Sequence, residues 1–176
     1  LAKPGLAVTL LDKMTVAGRQ GNAELKNLSD IFVCVGVNAA SAGMGFDTTL
    51  AFIESLSLVE RQPERLATLA DSTLRLFNNL NYMREAAKAT GVKFFDAKGE
   101  RRDAVDILRD IKGKYDKLKT DKDRAIFLQK AFGKADLDTI KGLKTLLGGD
   151  SLNKVGEFSA AIRNAGGTLA RDLPAA

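Results

Sequence analysis

The sequence contains no histidine, no tryptophan, one cysteine and three prolines among its 176 residues. Without histidine, it lacks the usual general acid–base residue, and a single cysteine cannot supply a zinc site. Cys34 cannot form a disulfide within the chain, and its apolar surroundings, IFVCVGV, predict a small buried residue rather than a nucleophile. No run of about 18 apolar residues is present, which predicts no membrane-spanning helix. Together these absences favour a protein that is not an enzyme and that uses no metal and no cofactor.

The residue types that are abundant in the sequence favour helices. Apolar residues make up 45% of the chain and charged residues 28%, which is typical of a folded globular protein. Leucine and alanine are frequent and β-branched runs are scarce, so we predict an all-α fold. The length suits a single helical domain over residues 1–176, with an alternative division near Gly91 into 1–90 and 91–176. Because the first residue is Leu, we expect a fragment of a longer protein.

Helical periodicity and turn residues predict an irregular bundle of about eight or nine helices. The second helix is apolar almost all the way round, because Ile31, Val33, Cys34 and Val37 widen its main stripe, and this predicts a position at the centre of the bundle. Expected helix starts are Gly5, Asn22, Asp47 or Thr48, Pro63, Tyr82, Asp103, Thr120, Asp136, and Asp150 or Ser151. Expected stops include Gly18, Gly91, Gly133, Gly148 and, for the last helix, Gly166, Gly167 and Pro174.

Spacings of three and four residues predict which side chains of each helix are buried. The predicted inward residues are Leu6, Leu10, Met14 and Ala17; Leu25, Leu28, Phe32, Val35 and Ala39; Leu66, Leu69, Thr73, Leu76 or Phe77, and Leu80; Val105, Leu108, Ile111, Tyr115 and Leu118; Ala125, Leu128 and Phe132; Leu137, Ile140, Leu143 and Leu147; Leu152, Val155, Phe158 or Ser159, and Ile162.

Helical patterning stops once in the middle of the chain, between Val92 and Glu100. Gly91 is placed to end a helix in a left-handed conformation, and the sequence Asp-Ala-Lys-Gly at 96–99 is typical of a tight turn. We therefore predict one short extended turn or hairpin here, anchored on the helices by Phe94 or Phe95.

Charge is distributed unevenly along the chain. The first ninety residues carry nine basic and nine acidic side chains, so the net charge of +5 lies entirely in the remainder. A candidate contact surface for an anion or a nucleic acid comprises Lys112, Lys114, Lys117, Lys119, Lys122 and Arg124. The alternative is a solvated helix face, since aspartates such as Asp116 and Asp121 are interleaved with these cations.

Other patterns carry little chemistry. The pairs Asp121/Asp123 and Asp136/Asp138 stand where helix N-termini favour acids, so capping explains them better than catalysis. Glu54, Glu60 and Glu64 are the one set that would suit a lytic centre, and nothing in the sequence places them in a common cleft. The nine Phe and two Tyr lie mostly at inward helical positions, which indicates core packing rather than a surface that stacks on bases.

One family resemblance covers most of the chain. The segments LSDIFVCVGVNAASAG, FDTTLAFIESLSLVE, LATLADSTLRLFNNL and REAAKATGVKFFDAKGERRDAVDIL occur in that order, followed by DRAIFLQKAFG, LKTLLGG and LNKVGEFSAAIRNAGG. This arrangement, from about Asn22 to Leu173, resembles the core region of phage tail tape-measure proteins, also called phage minor tail proteins. The most specific part is Gly91 to Leu108, with Phe132 and Gly133 downstream.

The resemblance implies a structural role in a phage or prophage virion. Tape-measure proteins are long helical chains that line the lumen of the growing tail, set its length and leave ahead of the DNA. The implied partners are other copies of the chain, tail-tube and tail-assembly proteins, and DNA during ejection, with no small-molecule substrate. The implied location is the tail lumen, and the host cytoplasm during assembly; membrane contact would come only from other parts of a longer chain. The alternative function is a helical module that binds nucleic acid through the Lys112–Arg124 region.

Overall fold

The computed structural model describes residues 4–165, which form nine α-helices and one 3-10 turn with no strand. The predicted all-α class is confirmed. The helices are α1 (Pro4–Gln20), α2 (Leu25–Ser41), α3 (Phe46–Ser57), α4 (Pro63–Leu74), α5 (Leu80–Thr90), α6 (Ala104–Asp116), α7 (Asp121–Phe132), α8 (Leu137–Leu147) and α9 (Ser151–Arg163). The 3-10 turn, Arg75–Phe77, extends α4. None of the described helices is long and apolar enough to cross a membrane.

The central helix is α3. Every residue from Thr49 to Ser57 is buried, because α1, α2, α4, α8 and α9 all pack around it. Its most extensive packing is against α9. Helix α4 packs on both α2 and α8, and so connects the two halves of the chain. The polar residues Thr49, Glu54, Ser55 and Ser57 are therefore enclosed in the core, where each needs a hydrogen-bonding partner.

The prediction that α2 is central is wrong. Its buried stripe is Leu28, Ile31, Val35 and Ala39, whereas Val33 is 77% exposed and Val37 is 74% exposed. Cys34 is exposed as well, which corrects its predicted burial. The physical reason is that α2 packs mainly against α4 on one side, so Val33, Cys34 and Val37, which lie outside that stripe, stay exposed.

Most predicted inward positions are buried, and the two most exposed exceptions share a cause. Leu80 is 55% exposed and Leu137 is 85% exposed, because each is the first residue of its helix and precedes the buried stripe. Ala125 is exposed in the first turns of α7, also against prediction. Leu25, Phe32, Tyr115, Leu118 and Ile140 are half-buried, with Phe32 edge-on to Phe46 at a ring distance of 5.0 Å.

Several helix boundaries differ from the sequence pattern by a few residues. Gly18 lies inside α1, which continues to Gln20. Asn22 does not cap α2; it bonds to Ser57 instead, and Glu24 occupies the capping position without a side-chain bond. Gly45 rather than Asp47 or Thr48 precedes α3. The predicted ends at Gly166, Gly167 and Pro174 lie outside the described residues.

The later helix caps form as predicted. The Asp103 carboxylate accepts a hydrogen bond from the Asp106 amide at 3.0 Å, and Thr120 Oγ1 accepts from the Asp123 amide at 3.1 Å. Asp136 accepts from the Thr139 amide at 3.0 Å, and Pro63 begins α4. Burial raises the pKa of Asp136, but hydrogen bonds from Thr139 and the ion pair with Arg75 outweigh it, so the pKa lies below its ordinary value.

The predicted hairpin follows α5. Gly91 ends α5 with φ +74°, and Gly99 completes the tight turn with φ +81°. The Asp96 amide donates to Glu100 O at 2.8 Å, the Arg102 amide donates to Phe94 O at 3.0 Å, and Phe95 pairs with Arg101 in one antiparallel bridge. Phe94 is the anchor, since it is 4% exposed and its ring lies 6.0 Å from that of Phe77.

Candidate functional site

A groove of about 710 Å³ lies between the hairpin and α6. We call it the basic groove. One wall is formed by residues 91–97. This segment folds back over α6 because Gly91, with its positive φ, changes the direction of the chain and Val92 is buried, with 5% of its surface exposed. The other wall is the outer face of α6. The lining residues are Gly91, Val92, Lys93, Phe95, Asp96, Ala97, Arg102, Arg109, Asp110, Gly113, Lys114 and Lys117.

Cations outnumber acids in the lining by five to two. Both acids are already occupied. Asp96 Oδ1 accepts from the amides of Lys98 and Glu100 at 2.8 and 3.0 Å, which stabilises the turn. Asp110 pairs with Arg102 at 2.7 Å. The groove therefore keeps an excess of positive charge that its own carboxylates do not neutralise.

The five cations play different roles. Arg102 is structural, because one guanidinium nitrogen bonds Asp110 and the other donates to Lys93 O at 2.7 Å, which joins the hairpin to α6. Arg109 pairs only loosely with Asp106, at 3.8 Å on an exposed surface. Lys93, Lys114 and Lys117 make no ion pair within residues 4–165. These three ammonium groups are available to an anionic ligand.

The structure divides the six predicted contact residues into three pairs. Lys112 and Arg124 bind inside the protein: Lys112 donates to Leu147 O at 2.9 Å and pairs with Asp116, while Arg124 donates to Leu118 O at 2.9 Å and pairs with Asp121. Lys114 and Lys117 line the basic groove. The third pair, Lys119 and Lys122, is exposed and lies outside the groove lining.

Sequence reasoning missed Lys93, Phe95 and Arg109. Arg109 and Gly113 in α6 and Lys117 directly after it follow one another at intervals of four, so their common side could have been recognised. Lys93 and Phe95 could not, because only the fold-back of the hairpin brings them opposite that face. Phe95 also departs from the prediction that the aromatic residues pack in the core, since it is 37% exposed.

The carboxylates considered for a lytic centre are not brought together. Glu54 is fully buried, Glu60 pairs with Lys141 at 3.4 Å, and Glu64 is exposed. Glu60 and Glu64 share a small cleft that Glu54 does not enter. Among residues 4–165, no group of three or more acidic or cysteine side chains is arranged to hold a metal ion.

Glu54 instead fastens the loop between α1 and α2 to α3. Its Oε2 accepts from the Ala23 amide at 3.2 Å and from Ser57 Oγ at 3.3 Å, while Oε1 is buried with no partner in the described residues. Asn22 adds two bonds to Ser57, from its amide at 2.8 Å and its side chain at 3.1 Å. Burial raises the pKa of Glu54 to about 8 against the smaller opposing effect of these hydrogen bonds, so the group is mostly a neutral acid at pH 7.

Comparison with known protein families identifies a match over most of the chain. A family model described as "Phage-related minor tail protein" matches residues 3–133, a span that holds α1 to α7, the hairpin and the basic groove. Helices α8 and α9 follow the matched span. No curated protein and no solved structure matches the chain.

Proposed function

The chain belongs to the phage-related minor tail protein family, and we propose from this premise that it is a structural module of a tail tape-measure protein. Membership in the family makes it a phage tail protein and favours a structural rather than an enzymatic role. In the proposed role, the module sits in the tail lumen, contributes to assembly and tail length, and leaves before the DNA. The observation that carries the proposal is the family match across three quarters of the chain.

An apolar face of α2 that the helices within residues 4–165 leave exposed supports a role in assembly. Val33, Val37 and Ala40 follow one another at helical spacing, and all three are exposed on the side of α2 away from α4. An apolar helix face of this kind suits contacts between helices, because association removes it from water. We place contacts with tail-tube proteins or with other copies of the chain on this face.

Deletion in the phage tests the proposal. We expect removal of the coding segment in frame to give shorter tails or none, measured by negative-stain electron microscopy. The 176 residues would span at most about 260 Å as one continuous helix. A shortening within this limit would indicate lost length, and absent tails would indicate failed assembly. Tails of normal length and number would overturn the proposal.

A matched pair of variants separates the α2 face from the fold. Val33→Asp with Val37→Asp changes only exposed positions, so the isolated protein should remain folded while tail yield falls if this face makes assembly contacts. The control is Arg84→Asp, an exposed position on α5 that makes the same change in charge away from α2 and should leave the yield unchanged. Equal yields from all three phages would remove α2 from the assembly contacts.

Nucleic-acid binding through the Lys112–Arg124 region remains a second proposal. It is favoured by the ten basic and six acidic residues between Arg101 and Lys130. The logarithm of the binding constant for duplex DNA should fall linearly with the logarithm of salt concentration, and the slope reports the number of phosphates neutralised. Failure to bind duplex DNA at low salt would dismiss this proposal without affecting the first.

A further inference from the structure

We propose that the basic groove binds single-stranded nucleic acid, with Lys93, Lys114 and Lys117 on its phosphates and Phe95 stacked on a base. The inference deepens the second proposed function and rests on it only for the class of ligand. It differs in the residues that bind, because Lys112 and Arg124 are engaged within the protein and the hairpin supplies two new contacts.

The cations of the groove are arranged on both sides of one channel. Lys93 stands on the hairpin wall, whereas Lys114 lies in the last turn of α6 and Lys117 directly follows that helix. None of the three pairs with an acid within residues 4–165. A fold gains nothing from unpaired like charges facing one another, since they repel, so a polyanion running between the walls would relieve this repulsion.

Gly113 supports the inference independently of charge. Glycine in a helix interior is less favourable than almost any other residue, and a packing conflict normally accounts for it. At Gly113 there is no such conflict, because a methyl group added there would meet no atom within 4 Å outside its own helix segment. The consequence of the glycine is an open floor in the basic groove, where a ligand can approach the α6 backbone closely.

Phe95 selects the kind of polyanion. Its neighbour Phe94 fills the core, while Phe95 is held by its bridge to Arg101 with 37% of its surface exposed in the lining. An exposed ring beside a row of cations is the combination with which proteins bind unpaired bases. Duplex DNA offers its phosphates but keeps its bases stacked inside, and inorganic phosphate or a lipid headgroup would make no use of the ring. Single-stranded nucleic acid uses both the three unpaired lysines and the exposed ring.

The test is fluorescence anisotropy of the intact chain with a labelled oligothymidine. Lys114→Ala with Lys117→Ala should weaken binding at least tenfold at low salt and lower the salt slope by about 1.4, because two phosphate contacts are lost. The matched control is Lys119→Ala with Lys122→Ala, which removes the same charge from the same region but outside the groove. It should change the affinity less than twofold.

Phe95→Ala examines stacking separately from charge. It should weaken binding by about tenfold without changing the salt slope, since no ion contact is removed. Phe95→Tyr keeps an aromatic ring and should restore the affinity. Circular dichroism checks that each variant keeps the helical content of the parent protein.

Each remaining outcome decides between the proposals. Equal losses from both lysine pairs, with duplex DNA bound at least as tightly, would support a diffuse basic surface and overturn the groove. A second contrary outcome is that vesicles rich in anionic lipid compete as strongly as the oligonucleotide and that Phe95→Ala has no effect. This outcome would mean that the lysines bind phosphate groups alone, and it would also overturn the groove proposal. No binding of either nucleic acid would reject both the groove and the second proposed function, and leave the tail-length experiment unaffected.

Discussion

Two polar sites in this protein are built beside glycines, and they differ in whether the fold uses their polar groups. At Gly21 the space next to the glycine is filled by the Glu54 carboxylate and by Ser57, which bind the loop between α1 and α2. At Gly113 the space is open, and the groove lysines Lys93, Lys114 and Lys117 make no ion pair in the part of the chain that the structure describes.

The contrast separates a structural role from a binding role. The polar atoms near Gly21 are enclosed and satisfied by backbone partners, apart from Glu54 Oε1, so changes there should alter the stability of the fold. The polar atoms near Gly113 face solvent, so changes there should alter the affinity for a ligand and leave the fold intact.

The largest effect is the pH dependence that Glu54 imposes on stability. Its pKa rises from 4.5 to about 8 on folding. Between these values the folded protein holds a proton that the unfolded chain has released, so stability falls as pH rises through this window and levels off above it. The loss is on the order of 5 kcal/mol over the window. Urea unfolding at a series of pH values measures it.

Glu54→Gln should remove this dependence, because an amide of nearly the same shape does not titrate. The variant should match the parent near pH 4.5 and become increasingly more stable than the parent towards pH 8. The control is Glu64→Gln, which changes an exposed carboxylate on α4 and should keep the slope of the parent protein. Parallel curves for the parent and Glu54→Gln would show that the carboxyl does not stay protonated on folding.

Gly21→Ala should lower the free energy of unfolding by about 2 kcal/mol, because it adds a methyl group to an interior that is already filled. The added methyl would lie 2.6 Å from Ser57 Oγ and from the Glu54 carbonyl oxygen, and closer still to Glu54 Oε2. The loop would have to move and lengthen its bonds to α3. Chemical denaturation measures the loss. A variant as stable as the parent would mean that the loop between α1 and α2 relaxes without losing its contacts.

Much of the fold could be predicted because helical periodicity and caps act locally. The stripes of α6 and α9, the left-handed Gly91, and the caps at Asp103, Thr120 and Asp136 all follow from residues a few positions apart. The central helix could not be predicted this way. Both α2 and α3 are strongly apolar, so composition does not tell which of them is central. Only the fold shows that five helices pack around α3, whereas Val33 and Val37 of α2 stay exposed.

The candidate site was predicted only in part, for a similar reason. Charge along the chain pointed to residues 112–124, but the roles of Lys112 and Arg124 depend on the carbonyl groups of Leu147 and Leu118, which the fold brings within reach. The sequence named Glu54 only in a possible lytic set and did not predict its structural role, since its partner Ala23 is 31 residues away and no local pattern marks a buried carboxyl. The extent of the domain and the six proposed anion contacts stay predictions.

Gly113→Ala should have the smallest effect on stability and the opposite sign. Alanine is more favourable than glycine inside a helix, and no neighbour would obstruct the methyl group, so the fold should gain about 0.5–1 kcal/mol. The same methyl narrows the floor of the basic groove, so affinity for single-stranded nucleic acid should fall while stability rises. Thermal unfolding and fluorescence anisotropy on the same sample measure stability and affinity. Gly21→Ala, the same substitution at the filled site beside Glu54, is the matched control. A gain in stability with unchanged affinity would show that the glycine serves no ligand, and a loss of stability would show that the space beside α6 is not open.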